Sequence, residues 1–118
     1  MGKENIISTK TKSFAIKIIK FCKILSEEKR EFVISKQLFR SATSIGANVR
    51  ESHNAQSKAD FINKLSIALK EADETAYWLE LLIESEIIDK QQFEKLNKDL
   101  KEIIAILTAS IKTLKSKK

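Results

Sequence analysis

The chain has no proline, only two glycines, one cysteine and one histidine. Without proline nothing interrupts a helix from within, and two glycines are too few for the tight turns of a strand-rich fold. A lone cysteine, Cys22, cannot close an internal disulfide. Set among Ile18, Phe21 and Leu25, it reads as a small buried hydrophobe. A lone histidine, His53, excludes most histidine-based metal sites and leaves no catalytic triad in register. No run approaches the roughly 18–20 apolar residues of a membrane span. The start, MGKENIISTKTK, lacks an apolar stretch of signal-peptide length, and Gly2-Lys3-Glu4 leads to no Ser or Thr where N-myristoylation would need one. The expected location is the cytoplasm, with no membrane contact.

What is present is charge and helical periodicity. At 118 residues the chain fits one domain. Its net charge is +6, unevenly spread: residues 1–25 carry six lysines against one Glu, and residues 87–118 eight lysines against four acids, whereas 54–86 carry three lysines against seven acids. Such a layout favours either a polyanionic partner at the basic ends or subunits that meet acidic face to basic face.

Apolar spacing then sets four helices in one domain over 1–118, at about 10–26, 33–53, 58–85 and 90–114, with a fraying basic tail of Lys112, Lys115, Lys117 and Lys118. Phe14, Ile18, Phe21, Cys22 and Leu25 mark the first; Ile34, Leu38, Ala42, Ile45 and Val49 the second. Ser57 with Asp60 is a capping signature opening the third helix, carried by Phe61, Leu65, Ala68, Ala72, Ala76, Leu79 and Ile83. Asp89 with Gln92 opens the fourth, where Phe93, Leu96, Leu100, Ile103 and Leu107 step by three and four. Short connections make successive helices antiparallel neighbours, so the predicted fold is all-α, an up-and-down four-helix bundle.

Two helices carry more than one core stripe. On the second, Gln37, Ser41, Ser44, Asn48 and Glu51 recur at steps of four and three, roughly 90° around from the apolar stripe, with Arg40 beside them. Ser and Asn are poor helix formers, so their alignment predicts close helix contact or a hydrogen-bonded network. Gly46, on the same helix, suggests close backbone approach. On the third helix, Ile67, Trp78, Leu81 and Leu82 are read as a second apolar face, interleaved with Glu71 and Glu74. That face predicts self-association, with the two carboxylates pairing to cations of a neighbouring subunit.

Catalytic chemistry has little to stand on. Di-metal bundles need Glu-x-x-His pairs on facing helices, and no phosphate-binding glycine loop or Cys-His set occurs. The protein is read as no enzyme, with no cofactor, metal or small-molecule substrate. The basic residues are a better lead. Lys10, Lys17, Lys20 and Lys23 are assigned to one broad face of the first helix, and Lys36, Arg40 and Arg50 to the second. Repeated around an oligomer, Lys17, Lys20, Lys23, Lys36, Arg40 and Arg50 would form a surface suited to a phosphate backbone, largely indifferent to base sequence.

Two runs, Gln37–Ser52 (QLFRSATSIGANVRES) and Asp60–Leu82 (DFINKLSIALKEADETAYWLELL), resemble the bacterial "four helix bundle protein" family. Its founding members are encoded in intervening sequences within large-subunit ribosomal RNA genes, and it is also labelled S23 ribosomal protein. Arg40, Ser41, Ser44, Ile45, Asn48 and Glu51 match one family pattern; Lys70, Glu71, Ala72, Glu74, Thr75, Trp78 and Leu79 match the other. The likeness runs from about Phe14 to Ile88. It implies an antiparallel bundle assembling as a ring, typically a homopentamer, and distant kinship to the basic pentameric accessory proteins of diversity-generating retroelements, which bind nucleic acid and a reverse transcriptase. The chain departs from the family at Ser52-His53-Asn54, where many relatives carry a small residue and a glycine.

The resulting expectation is a non-enzymatic homo-oligomer, a pentamer by resemblance, that binds RNA or single-stranded nucleic acid through its basic face. Its rival is a protein-interaction scaffold whose lysines only solubilise it.

Overall fold

A computed structural model describes residues 3–117, with side chains from Ile6 onward; the Gly2 reading and Lys118 of the basic tail lie outside the described residues. Four helices follow one another: α1 (Lys3–Glu28), α2 (Val33–Ser52), α3 (Lys58–Glu84) and α4 (Lys90–Ser116). Among the described residues there is no strand. Each helix packs on two neighbours, α1 and α3 both lying between α2 and α4, while the diagonal pairs do not meet. Cross-helix partners run in opposite senses: Thr11 beside Gly46 and Cys22 beside Ser35 join α1 to α2. Arg40 with Glu74 and Glu51 with Lys64 join α2 to α3. The bundle measures 49 × 22 × 21 Å.

The core follows the predicted stripes. Phe14, Ile18, Leu25, Leu38, Ile45, Val49, Leu79, Leu100, Ile103 and Leu107 are all but inaccessible. Ala42, Ala68 and Ala72 at zero exposure let α2 and α3 approach closely. Leu82 does not lie on the second apolar face expected of the third helix. It is wholly buried; three residues beyond Leu79, it shares the core stripe.

Helix ends show where local chemistry was and was not visible. Asp89 and Gln92 form a reciprocal capping box at α4, and Ser57 accepts from the Asp60 N–H at 3.0 Å. The Asp60 carboxylate reaches past the cap to the Gln56 N–H instead. At α2 the capping residue Phe32 has no side-chain acceptor; Glu31, one position earlier, takes the N–H groups of Ile34 and Ser35 at 3.1 and 2.7 Å. The α1 and α3 ends turn through Arg30 (φ 56°) and Glu86 (φ 61°), left-handed residues where glycine is the usual choice.

α1 starts seven residues before the expected position, since Ile7 and Thr11 extend its buried stripe. α4 holds its helix through Ser116 rather than fraying at Lys112, because Ile111 is buried and Leu114 packs on the core. The Ser52-His53-Asn54 departure needs no glycine: His53 stays right-handed, and the Asn54 N–H donates to the Glu51 carbonyl at 3.0 Å.

Candidate nucleic-acid interface

The basic residues divide by what faces them. On α1, Lys10 and Lys17 turn toward α4, where they pair with Glu102 at 3.2 Å and Asp99 at 2.7 Å. Lys20 and Lys23, on the same helix, have no such partner among the described residues. Arg40 is held by Glu71 at 3.3 Å and by Glu74 on α3 of the same chain. Lys17 and Arg40 are thus neutralised within the fold. Lys12, Lys20 and Lys23 of α1 and Lys36 and Arg50 of α2 are exposed, and among the described residues none has an ion-pair partner.

The absence of counter-charge is a property of the sequence. Residues 5–26 and 32–50 contain no carboxylate, so the α1 and α2 surfaces are acid-free apart from their ends. Residues 58–116, which make α3 and α4, hold eleven of the sixteen acids. The bundle therefore has a basic half and a more acidic half.

Between α1 and α2 lies a groove of about 370 Å³, lined by Ile19, Cys22, Lys23, Ser26, Phe32, Ser35, Lys36 and Phe39. Its floor is pinned by reciprocal bonds: the Cys22 thiol donates to the Ser35 carbonyl at 3.4 Å, and the Ser35 hydroxyl to the Cys22 carbonyl at 3.3 Å. Burial pushes the Cys22 thiol pKa up, despite the Ser35 hydrogen bond. The walls are open. Ile19 and Phe39 are each 43% exposed and Phe32 53%, and the Arg30 guanidinium sits 5.3 Å from the Phe32 ring centre. This apolar exposure was missed from sequence because Ile19, Phe32 and Phe39 belong to no regular stripe; they converge only when α1 and α2 pair.

Of the polar stripe of α2, Ser41 and Glu51 bond across to α3, while Ser44 and Asn48 bond to the backbone of their own helix. Ser41 is buried against Thr75, Ser44 donates to the Arg40 carbonyl at 2.8 Å, Asn48 to the Ser44 carbonyl at 2.9 Å, and Glu51 pairs with Lys64 at 3.0 Å. Gln37 stays exposed. Gly46 is less constrained than expected, since a Cβ there would meet Thr11 Oγ1 at 3.4 Å, a normal contact.

On α3, Glu71 and Glu74 are spent on Arg40, so pairing to a neighbouring subunit is not required of them. Trp78 is half-buried against the core and its indole N–H donates to Glu74 at 3.1 Å. The Arg40 hydrogen bond, then that of Trp78, hold the Glu74 carboxyl below the usual carboxylate range. Ile67 and Leu81 are half-buried, while Tyr77, absent from the predicted face, is 54% exposed and tilted against Trp78 at 5.3 Å. A second hollow of about 450 Å³ opens at the far end of the bundle, between Ile7, Phe61, Leu65 and Ile106. Among the described residues no three His, Cys, Asp or Glu side chains gather as metal ligands, and no helix is long and apolar enough to cross a membrane.

The family described as 23S rRNA-intervening sequence protein matches residues 3–109. The chain belongs to that family. A solved structure of a protein of unknown function, from the S23 ribosomal protein family of Bacteroides thetaiotaomicron, is similar to it at 55% identity and a TM-score of 0.92. The match covers 93% of this chain and 98% of that one. No curated protein matches. Family membership agrees with the resemblance carried by the Arg40–Glu51 and Lys70–Leu79 motifs, and the neighbour agrees with the helical bundle.

Proposed function

We propose that this family member is a non-enzymatic, self-associating bundle that binds RNA through the α1/α2 face. The observation that carries the reading is the α1/α2 surface, with carboxylates only near its ends, on which, among the described residues, Lys12, Lys20, Lys23, Lys36 and Arg50 stand without ion-pair partners. Cations without ion-pair partners are the arrangement that displaces counter-ions from a phosphate chain. RNA is favoured over DNA by the family's link to ribosomal RNA intervening sequences. Self-association, as the pentameric ring the resemblance implies, is supported by the exposed Tyr77 beside Trp78 and Leu81. It would repeat the basic face and multiply a weak contact into a strong one.

The test is a titration of fluorescent single-stranded RNA, hairpin RNA and duplex DNA at low and near-physiological salt. Binding should weaken steeply with salt, by a log–log slope of about 0.7 for each single-strand phosphate neutralised. Lys20→Glu with Lys23→Glu and Lys36→Glu should abolish it. No binding to any form at low salt overturns the reading and turns the search to protein partners.

A further inference from the structure

We infer that the α1/α2 groove is a stacking site for an unpaired base, with Phe39 as its platform, so that the ligand is single-stranded rather than duplex nucleic acid. This inference rests on the nucleic-acid reading above and adds the ligand's form and its point of contact.

The groove combines two features that are seldom adjacent on a solvated helix pair. Its walls, Ile19 and Phe39, leave large apolar area open to water. Its rim, Lys23 and Lys36, is cationic, and no carboxylate lines it. A purely apolar occupant would leave the lysines unmatched and strip them of water at a cost. A purely anionic one would leave the ring exposed. A single strand supplies both features, since each nucleotide joins a flat apolar face to a phosphate. A duplex offers phosphates alone, because its base faces are already stacked within the helix. Charge complementarity therefore selects an unpaired strand among nucleic acids.

Phe39 is the better platform of the two rings. The Arg30 guanidinium already stands over Phe32, so that pair extends the groove as a cation-bearing flank. Phe39 lies one turn from Lys36 on the same helix and opposite Ile19, with the Cys22–Ser35 bonds holding the two walls at fixed separation. A rigid floor preserves the site before a ligand arrives, which limits the ordering cost of binding.

The experiment compares wild type, Phe39→Ala, Phe39→Leu and Phe39→Trp against oligouridine and a fully paired RNA duplex, by fluorescence anisotropy across a salt series. Circular dichroism and sedimentation velocity on each variant report fold and mass. Loss of one base–aromatic stack should weaken oligouridine binding between about fivefold and a hundredfold. Phe39→Leu, which keeps apolar bulk but lacks a π-face, should behave like Phe39→Ala, and Phe39→Trp should bind at least as well as wild type. Duplex affinity and the salt slope should hold, because no phosphate contact is removed. Oligouridine affinity indifferent to Phe39, or equal loss for duplex, would overturn the stacking site while leaving the nucleic-acid reading in place. A fall in mass for Phe39→Ala with RNA affinity retained would overturn it too, and would assign the groove to a second copy of the chain. Failure of wild type to bind either RNA would remove both readings at once.

Discussion

The hydroxyl of Thr75 on α3 donates to that of Ser41 on α2 at 2.9 Å, and both residues are fully buried. The Thr75 oxygen also lies 2.8 Å from the Glu71 carbonyl and that of Ser41 3.4 Å from the Leu38 carbonyl. With one proton each, the two buried hydroxyls share a single cross-helix bond, and the other proton goes to a carbonyl of its own helix, which ties the register of α2 to α3.

That bond should show as coupling in an unfolding cycle. Thr75→Val leaves the Ser41 hydroxyl without its cross-helix partner and should cost about 1–2 kcal/mol in urea unfolding; Ser41→Ala should cost about 1 kcal/mol. The double variant should lose less than the two together, because no buried group is left unmatched. Strict additivity would mean that the hydroxyls do not depend on each other.

Glycine and left-handed backbone are misallocated in this chain, and both can be corrected. Gly46 sits inside α2 with room for a methyl group, so Gly46→Ala should raise stability by about 0.5–1 kcal/mol. Glu86 occupies a left-handed position with φ 61°, so Glu86→Gly should gain about 1 kcal/mol by relieving the Cβ clash. Thermal unfolding of the two variants and their combination checks this, and the gains should add because one site lies inside α2 and the other in the turn between α3 and α4.

Trp78 is the only tryptophan, and its bond to Glu74 makes its emission a reporter of that carboxylate. The Glu74 carboxyl is held below its ordinary range first by Arg40 and then by Trp78. A lowered folded-state value means the stabilisation is present above the unfolded value of about 4.3 and is lost as pH falls through the folded one. The emission change should therefore fall below about pH 4.3 in wild type and move upward in Arg40→Gln. Far-UV dichroism through the same range confirms that the helices persist. An unchanged midpoint in Arg40→Gln would show that the ion pair does not bias Glu74.

Four helices and most of the core were legible because Phe14–Leu25, Leu38–Val49, Leu65–Leu79 and Leu96–Leu107 each keep one apolar stripe at helical spacing. The small polar residues of α2 were legible as a contact surface, though not as one facing Thr75. The basic face was half legible. Its lysines are visible in the sequence, but Lys10 and Lys17, on the same helix as Lys20 and Lys23, are met by Glu102 and Asp99, 92 and 82 residues away. Partners at such separation leave no local signal. Leu82 was misplaced for a simpler reason: a Leu81-Leu82 pair reads as one face, although adjacent helical residues point about 100° apart.

The proposed self-association is best tested at Tyr77. Trp78 is packed on the core and bonded to Glu74, so its truncation would mix a folding effect with an interface effect. Tyr77 is more than half exposed, so its substitution should leave the fold intact. Tyr77→Glu with Leu81→Ala places a charge and a gap where the α3 face would meet its neighbour. Sedimentation velocity should show a lower mass at unchanged helix content. Apparent RNA affinity should drop roughly 100-fold or more as the linked sites separate, while each subunit keeps its Lys23 and Lys36 contacts. If mass is unchanged, α3 is not the interface. If mass falls and RNA affinity does not, each α1/α2 face acts alone and the assembly serves some purpose other than avidity.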